Sequence, residues 1–169
     1  MPPMPKKRMM FEIHLSNNQQ LLPVHDSLVH DAVTQTLTAQ NVASAEIVVA
    51  LIDDKSIHTV NREHLQHDYP TDVISFLYDS SGGTTDEDSE PLLKGSDSHL
   101  DGELVISVET AIRESTTYQW DPLDELRLYI VHGLLHLCGY DDQTDSEKAI
   151  MRQREQAILK FWNLTPHYT

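Results

Sequence analysis

The hydrophobic pattern alternates between strand-length runs and helix-spaced repeats. Met9 to Leu15 is a short candidate strand, and residues 24–40 carry Leu28, Ala32, Val33, Thr36 and Leu37 on one side of a helix. Ile47 to Ile52 is an unbroken apolar run of strand length, as expected of a strand buried on both faces. Asp54 is placed to cap a helix holding Ile57, Val60, His64 and Leu65, which Pro70-Thr71 breaks. Strands are then predicted over Asp72–Tyr78 and Gly102–Val108, with a helix near Glu109–Thr117. Thr144-Asp145-Ser146-Glu147 is a capping-box signature opening a last helix, whose Ile150, Met151, Ile158 and Trp162 are expected to face inward.

The segment before that helix is the most apolar of the chain. Asp121 stands at an N-cap position, Pro122 suits the first helical turn, and Asp124 and Glu125 complement the helix dipole. Leu123, Leu126, Ile130, Leu134 and Leu137 recur at helical spacing, and Leu128, Val131 and Leu135 widen the apolar surface almost all round. Such a helix belongs in the middle of a domain. Gly139 ends it in a conformation that glycine adopts freely. The pattern predicts an α+β fold of α/β-like order: one compact domain over residues 1–169, with a small, mostly mixed sheet of about four strands packed by about five helices. No repeat and no second domain is visible.

Composition adds bounds. The 169 residues, 39% of them hydrophobic, suffice for one real core. No run approaches the roughly 18 apolar residues of a membrane span, and Met1 to Arg8 lacks the apolar segment of a signal peptide, so no membrane partner and a cytoplasmic location are expected. The one cysteine, Cys138, falls in the apolar helix and reads as a small buried side chain, not a nucleophile. A formal charge of −15 speaks at face value against nucleic acid. Its distribution weakens that argument, because residues 79–100 hold six acidic residues against one lysine and read as a flexible, solvated acidic loop. Ten histidines also gain charge slightly below neutral pH.

The chemistry lies at the end of the apolar helix, in His132-Gly133-Leu134-Leu135-His136-Leu137-Cys138-Gly139-Tyr140-Asp141-Asp142. Two histidines four apart share a helix face, the glycine turns the backbone, and Asp142 follows six positions after His136. Two imidazoles and a carboxylate brought to one point are three ligands for a divalent metal, with the fourth position open, as in a hydrolase. The plainer alternative is a core helix with two hydrogen-bonded histidines; buried imidazoles need one or the other.

Three ordered segments, Pro70-Thr71-Asp72-Val73-Ile74-Ser75-Phe76, Gly102-Glu103-Leu104-Val105-Ile106-Ser107 and His132 to Asp142, resemble the YbeY family over roughly residues 45–160. The resemblance implies one Zn2+ per chain and an endoribonuclease acting on single-stranded RNA. It further implies a role in ribosomal RNA maturation, notably at the 3′ end of the small-subunit RNA, and in ribosome quality control. The expected partners are RNA and the ribosome or its subunits, not DNA. Two departures from the family pattern stand out. Asp142 occupies the place of a third histidine, and its charge is expected to make the metal a weaker Lewis acid. Leu65 occupies the place of an arginine suited to holding a phosphate oxygen; Arg62, one turn earlier, is the expected substitute.

On this reading His132, His136 and Asp142 hold the metal, and His132, His136 and Arg62 serve catalysis. The reaction is metal-assisted phosphodiester cleavage with either water or the RNA 2′-hydroxyl as nucleophile. Asp72 and Ser75 fit a capped turn or substrate contact, and Asp141 fits either an imidazole-orienting role or a turn cap. His64, His67, Lys6, Lys7 and Arg8 are candidates for RNA phosphate or for the solvated surface. A zinc metallopeptidase is disfavoured because Gly133 stands where such enzymes carry a glutamate base. A non-catalytic zinc-bound ribosome-assembly factor is the other alternative, and Leu65 is its main support.

Overall fold

The computed structural model describes residues 10–65, 71–82 and 95–168. Four strands, β1 (Met10–Asn17), β2 (Val42–Ile52), β3 (Val73–Ser81) and β4 (Gly95–Ser107), form one mixed sheet in the order β1-β2-β4-β3. The strands β1, β2 and β4 run parallel and β3 is antiparallel to β4. Five helices accompany them: α1 (Asp26–Ala39), α2 (Asp54–Leu65), α3 (Val108–Tyr118), α4 (Pro122–Leu137) and α5 (Asp145–Leu159). The fold is the single compact α+β domain expected.

Strand alternation divides the molecule into two unequal layers. Ile47, Val49 and Leu51 of β2 and Leu100, Leu104 and Ile106 of β4 join the large core with α1, α3, α4 and α5. The opposite face is covered by α2, where Ile57 packs with Ile74 and Val105 and against Val60 and Phe76. Both faces of β2 and β4 are therefore apolar, which is why the run at Ile47 reads as a central strand. Helix α4 lies at the centre, packed on α1, α3, α5 and strands β3 and β4. Its ends are as the residues dictate: the Asp121 carboxylate accepts the Leu123 N–H at 2.8 Å, and Gly139 turns the chain at φ 104°.

Several expectations need correcting. Strand β2 starts at Val42, which pairs with Gly95, and Ser44 to Glu46 pair with both neighbours although Glu46 points to solvent. The ends of the acidic stretch 79–100 are strand, since residues 79–81 and 99–101 continue the β3–β4 ladder; residues 83–94 lie outside the described residues. The α2 cap is Asp53, whose carboxylate accepts the Ser56 N–H at 2.7 Å. Asp54 instead reaches across to α3, accepting from Ser107, Thr110 and Arg113. In α5, Met151 and Ile158 are buried and Trp162 is half-buried, but Ile150 is 56% exposed, one position round from the stripe that meets α4. Thr144 caps α5 as expected, accepting the Glu147 N–H at 3.2 Å.

Candidate metal centre

The last turns of α4 and the loop after it bring His132, His136 and Asp142 together. Their ligand atoms all lie within 4.8 Å of one another. The two Nε2 atoms are 3.1 Å apart, and Asp142 Oδ2 is 3.7 Å from that of His132 and 3.5 Å from that of His136. A tetrahedral ion with bonds of about 2.0–2.2 Å separates neighbouring ligand atoms by about 3.3–3.6 Å. The triangle is thus one face of such a tetrahedron, and the residues fit the metal.

The imidazoles are aimed by their other nitrogens. His132 Nδ1 lies 2.5 Å from Glu155 Oε1, and His136 Nδ1 lies 3.1 Å from the Tyr140 carbonyl. Carboxylate and carbonyl oxygens only accept, so both rings carry a proton on Nδ1 and present Nε2 to each other. Two nitrogen lone pairs at that distance need a shared cation between them, a metal or a proton. Burial works against charging His132, yet the hydrogen bond and negative charge of Glu155 outweigh it and raise its pKa.

Glu155 is the residue that sequence reasoning missed. It is 2% exposed and also accepts the Tyr168 hydroxyl through its second oxygen. A signal was available: Glu155 sits one helical turn after Met151 and one before Leu159 on the buried face of α5, and a glutamate in an apolar stripe requires a donor. Glu125 repeats the theme at the other end of α4. It too is 2% exposed, and it accepts Trp120 Nε1 at 2.5 Å and His167 Nε2 at 3.0 Å. Two buried carboxylates thus tie the C-terminal segment to the α4 scaffold.

Other motif residues are placed as follows. Asp141 accepts the N–H of Asp142 at 2.8 Å, so it shapes the turn that presents the third ligand. Asp72 accepts the Val73 N–H at 2.7 Å, and the Ser75 hydroxyl donates to the Gly133 carbonyl at 3.0 Å, fastening β3 to α4. A Cβ on Gly133 would stand 2.7 Å from Leu104 Cδ2 and 3.2 Å from both Ser75 Oγ and Val73 Cγ2. The position after His132 therefore faces the sheet, with no room for the glutamate of a metallopeptidase. Cys138 is buried, and burial pushes its thiol up to about 12. His64 is exposed, its ring edge-on to Phe76, whereas His67, Lys6, Lys7 and Arg8 lie outside the described residues.

The three candidate ligands stand where two clefts meet, each of roughly 500 Å³ and each lined by Thr71, Asp72, His132 and Asp142. One continues past Asn61, Leu65, Ser75, His136 and Gln143; the other continues past α3, α5 and the C-terminal segment. Leu65, 42% exposed, therefore faces the metal cleft, while Arg62 is exposed on α2 beside the cleft-lining Asn61. A second group of metal-capable side chains, Glu12, His14 and Glu46, lies on the open surface of β1 and β2, where water solvates all three.

A family model described as Endoribonuclease YbeY matches residues 13–163. Among curated proteins, the Endoribonuclease YbeY of Rhodopirellula baltica is 46% identical over 114 residues, 66% of this chain but only 51% of that protein. Thus the match spans about half the length of that relative. The Endoribonuclease YbeY of Pelotomaculum thermopropionicum is 35% identical over 155 residues, covering 89% of this chain and 97% of that one. The Moorella thermoacetica protein of the same description is 36% identical over 152 residues, 88% and 95% of the two chains. The solution structure of a Thermotoga maritima protein matches with a TM-score of 0.53 at 18% identity, covering 94% of this chain and 95% of that one, a likeness of fold.

Proposed function

The chain belongs to the Endoribonuclease YbeY family, and from that premise we propose that it is a zinc-dependent endoribonuclease of the cytoplasm that cuts single-stranded RNA. Its role is in ribosomal RNA maturation, at the 3′ end of the small-subunit RNA, and in ribosome quality control, with the ribosome or a subunit as partner. Among the described residues no helix is long and apolar enough to cross a membrane. The observation that carries the chemistry is the ligand triangle of His132, His136 and Asp142 at the junction of two clefts.

Zinc held there supplies Lewis acidity: it eases deprotonation of water and offsets the negative charge that builds on a phosphate under attack. The protein does the rest by position. Glu155 and the Tyr140 carbonyl fix the protons on the Nδ1 atoms and so keep both Nε2 atoms free for the metal. Asp142 adds a negative charge where the family usually has a neutral nitrogen, which tempers the Lewis acid. Phosphate is met by a cation beside the cleft; Arg62 is the one assigned on α2, where Leu65 supplies no charge.

The test is cleavage of a labelled single-stranded RNA by purified protein. Activity is expected to vanish on chelation, to return with zinc, and to be absent in His132→Ala. Cleavage that survives both treatments would overturn the assignment. The assembly-factor reading draws on Leu65 facing the cleft, and it prevails if the zinc-loaded protein binds the ribosomal subunit but cuts no RNA.

A further inference from the structure

We propose that the cleft between α3, α5 and the C-terminal segment is a nucleotide subsite, where a base of the RNA stacks on Tyr118 and the adjoining phosphate is held by Lys148 and Arg152. The proposal rests on the ribonuclease reading and adds to it a contact point for a base beside the metal ligands.

The two clefts that meet at the metal ligands differ in kind. Among the described residues, the Leu65 side is lined by no lysine or arginine and by no Phe, Tyr or Trp ring. On the other side the lining includes Arg113, Lys148 and Arg152 together with Tyr118, His167 and Tyr168. The chain has only 12 lysines and arginines against 27 acidic residues, and three of those cations line this cleft. Of the five carboxylates in the same lining, Glu125 and Glu155 are occupied by buried hydrogen bonds and Asp142 by the candidate metal site, which leaves Asp72 and Glu114. Lys148 and Arg152 stand four apart on α5, hence on one face, and the Arg152 guanidinium lies 4.7 Å from the centre of the Tyr168 ring. Arg113 pairs with Asp54 at 2.9 Å, and Lys148 and Arg152 share the α5 face that lines the cleft.

The aromatic part is built as a platform. The Tyr118 and His167 rings lie 3.8 Å apart and 8° from parallel, and Trp120 meets His167 edge-on at 5.2 Å. His167 is held from behind by buried Glu125, which also takes the Trp120 N–H. Tyr118 itself is 47% exposed at the end of α3, with one face on His167. Tyr118 thus presents a ring whose backing is fixed through His167 by a buried carboxylate and whose outer part is open to water. As a stacking surface for a base it is already organised. The cleft volume of about 490 Å³ is that of a small-ligand site and admits a nucleotide.

The experiment uses the full-length zinc-loaded protein with 2′-O-methyl, phosphorothioate-linked decamers that resist cutting, which separates binding from cleavage. The probe is a single-stranded RNA decamer bearing one 2-aminopurine, alongside the same decamer lacking that base. For the parent, 2-aminopurine fluorescence is expected to be quenched on binding, and loss of the base to weaken binding roughly 10-fold. In Tyr118→Leu the quenching and the penalty for the missing base should both disappear, while Tyr118→Phe keeps them. Lys148→Ala and Arg152→Ala should weaken binding of both decamers and flatten the salt dependence. If Tyr118→Leu quenches and discriminates like the parent, the subsite is overturned, whether or not the zinc-loaded enzyme cuts RNA. If the parent stacks the base but never cleaves unmodified RNA, the subsite stands and the ribonuclease reading falls.

Discussion

At the scale of single residues, the site separates atoms that would touch metal from atoms that aim them. Asp142→Ala is expected to weaken zinc binding strongly in a competition titration, whereas Asp142→His retains it by restoring a nitrogen ligand. Asp141→Ala, which loosens only the turn, should cost less; the reverse order would exchange the roles of the two aspartates. Glu155→Gln keeps the volume but removes the charge behind His132, and zinc affinity is expected to fall about 10- to 100-fold, with the melting temperature of the zinc-loaded protein falling with it. The meeting of His132, His136 and Asp142 was legible in the sequence because their spacing is local. Glu155 was not, since nothing local says that a glutamate on the next helix meets His132.

Elements explain what holds the site still. The β3–α4 contact leaves no room at Gly133, so Gly133→Glu is expected to destabilise by on the order of 3 kcal/mol in denaturant unfolding. Asp54 joins α2 to α3, and its effect is pH-dependent. Burial alone would push its pKa up, but hydrogen bonds from Ser107, Arg113 and Thr110 hold it below the ordinary value of 3.8. A carboxylate with a depressed pKa contributes stability above the unfolded value and loses it as pH falls through the folded one. Asp54→Asn should therefore cost on the order of 2 kcal/mol at neutral pH, a difference that shrinks as pH drops below 3.8. An equal cost at pH 2 and pH 7 would refute the ionic account. Apolar periodicity disclosed all five helices and every strand, because each buries a continuous stripe. It misjudged ends and partners, such as Asp53 for Asp54 and the outward Ile150, since those depend on what packs opposite.

For the molecule as a whole, a net charge of −15 is compatible with an RNA substrate because the cations are placed, not plentiful. Removing bound zinc is expected to lower the melting temperature, and His136→Ala should melt like the chelated parent, as metal binding adds to folding free energy. The buried link from Glu155 to His132 and Tyr168 joins regions far apart in the chain, while the ligands themselves are neighbours in sequence. Occupancy at the end of α4 is thereby converted into grip on α5. Stripping the ion should leave most of the sheet closed yet let the last helix open, so its amide protons exchange faster with solvent than those of β2 or β4. The centre then doubles as a latch on α5 and the segment after it, and a cell short of zinc would hold a population whose tail is the first part offered to proteases.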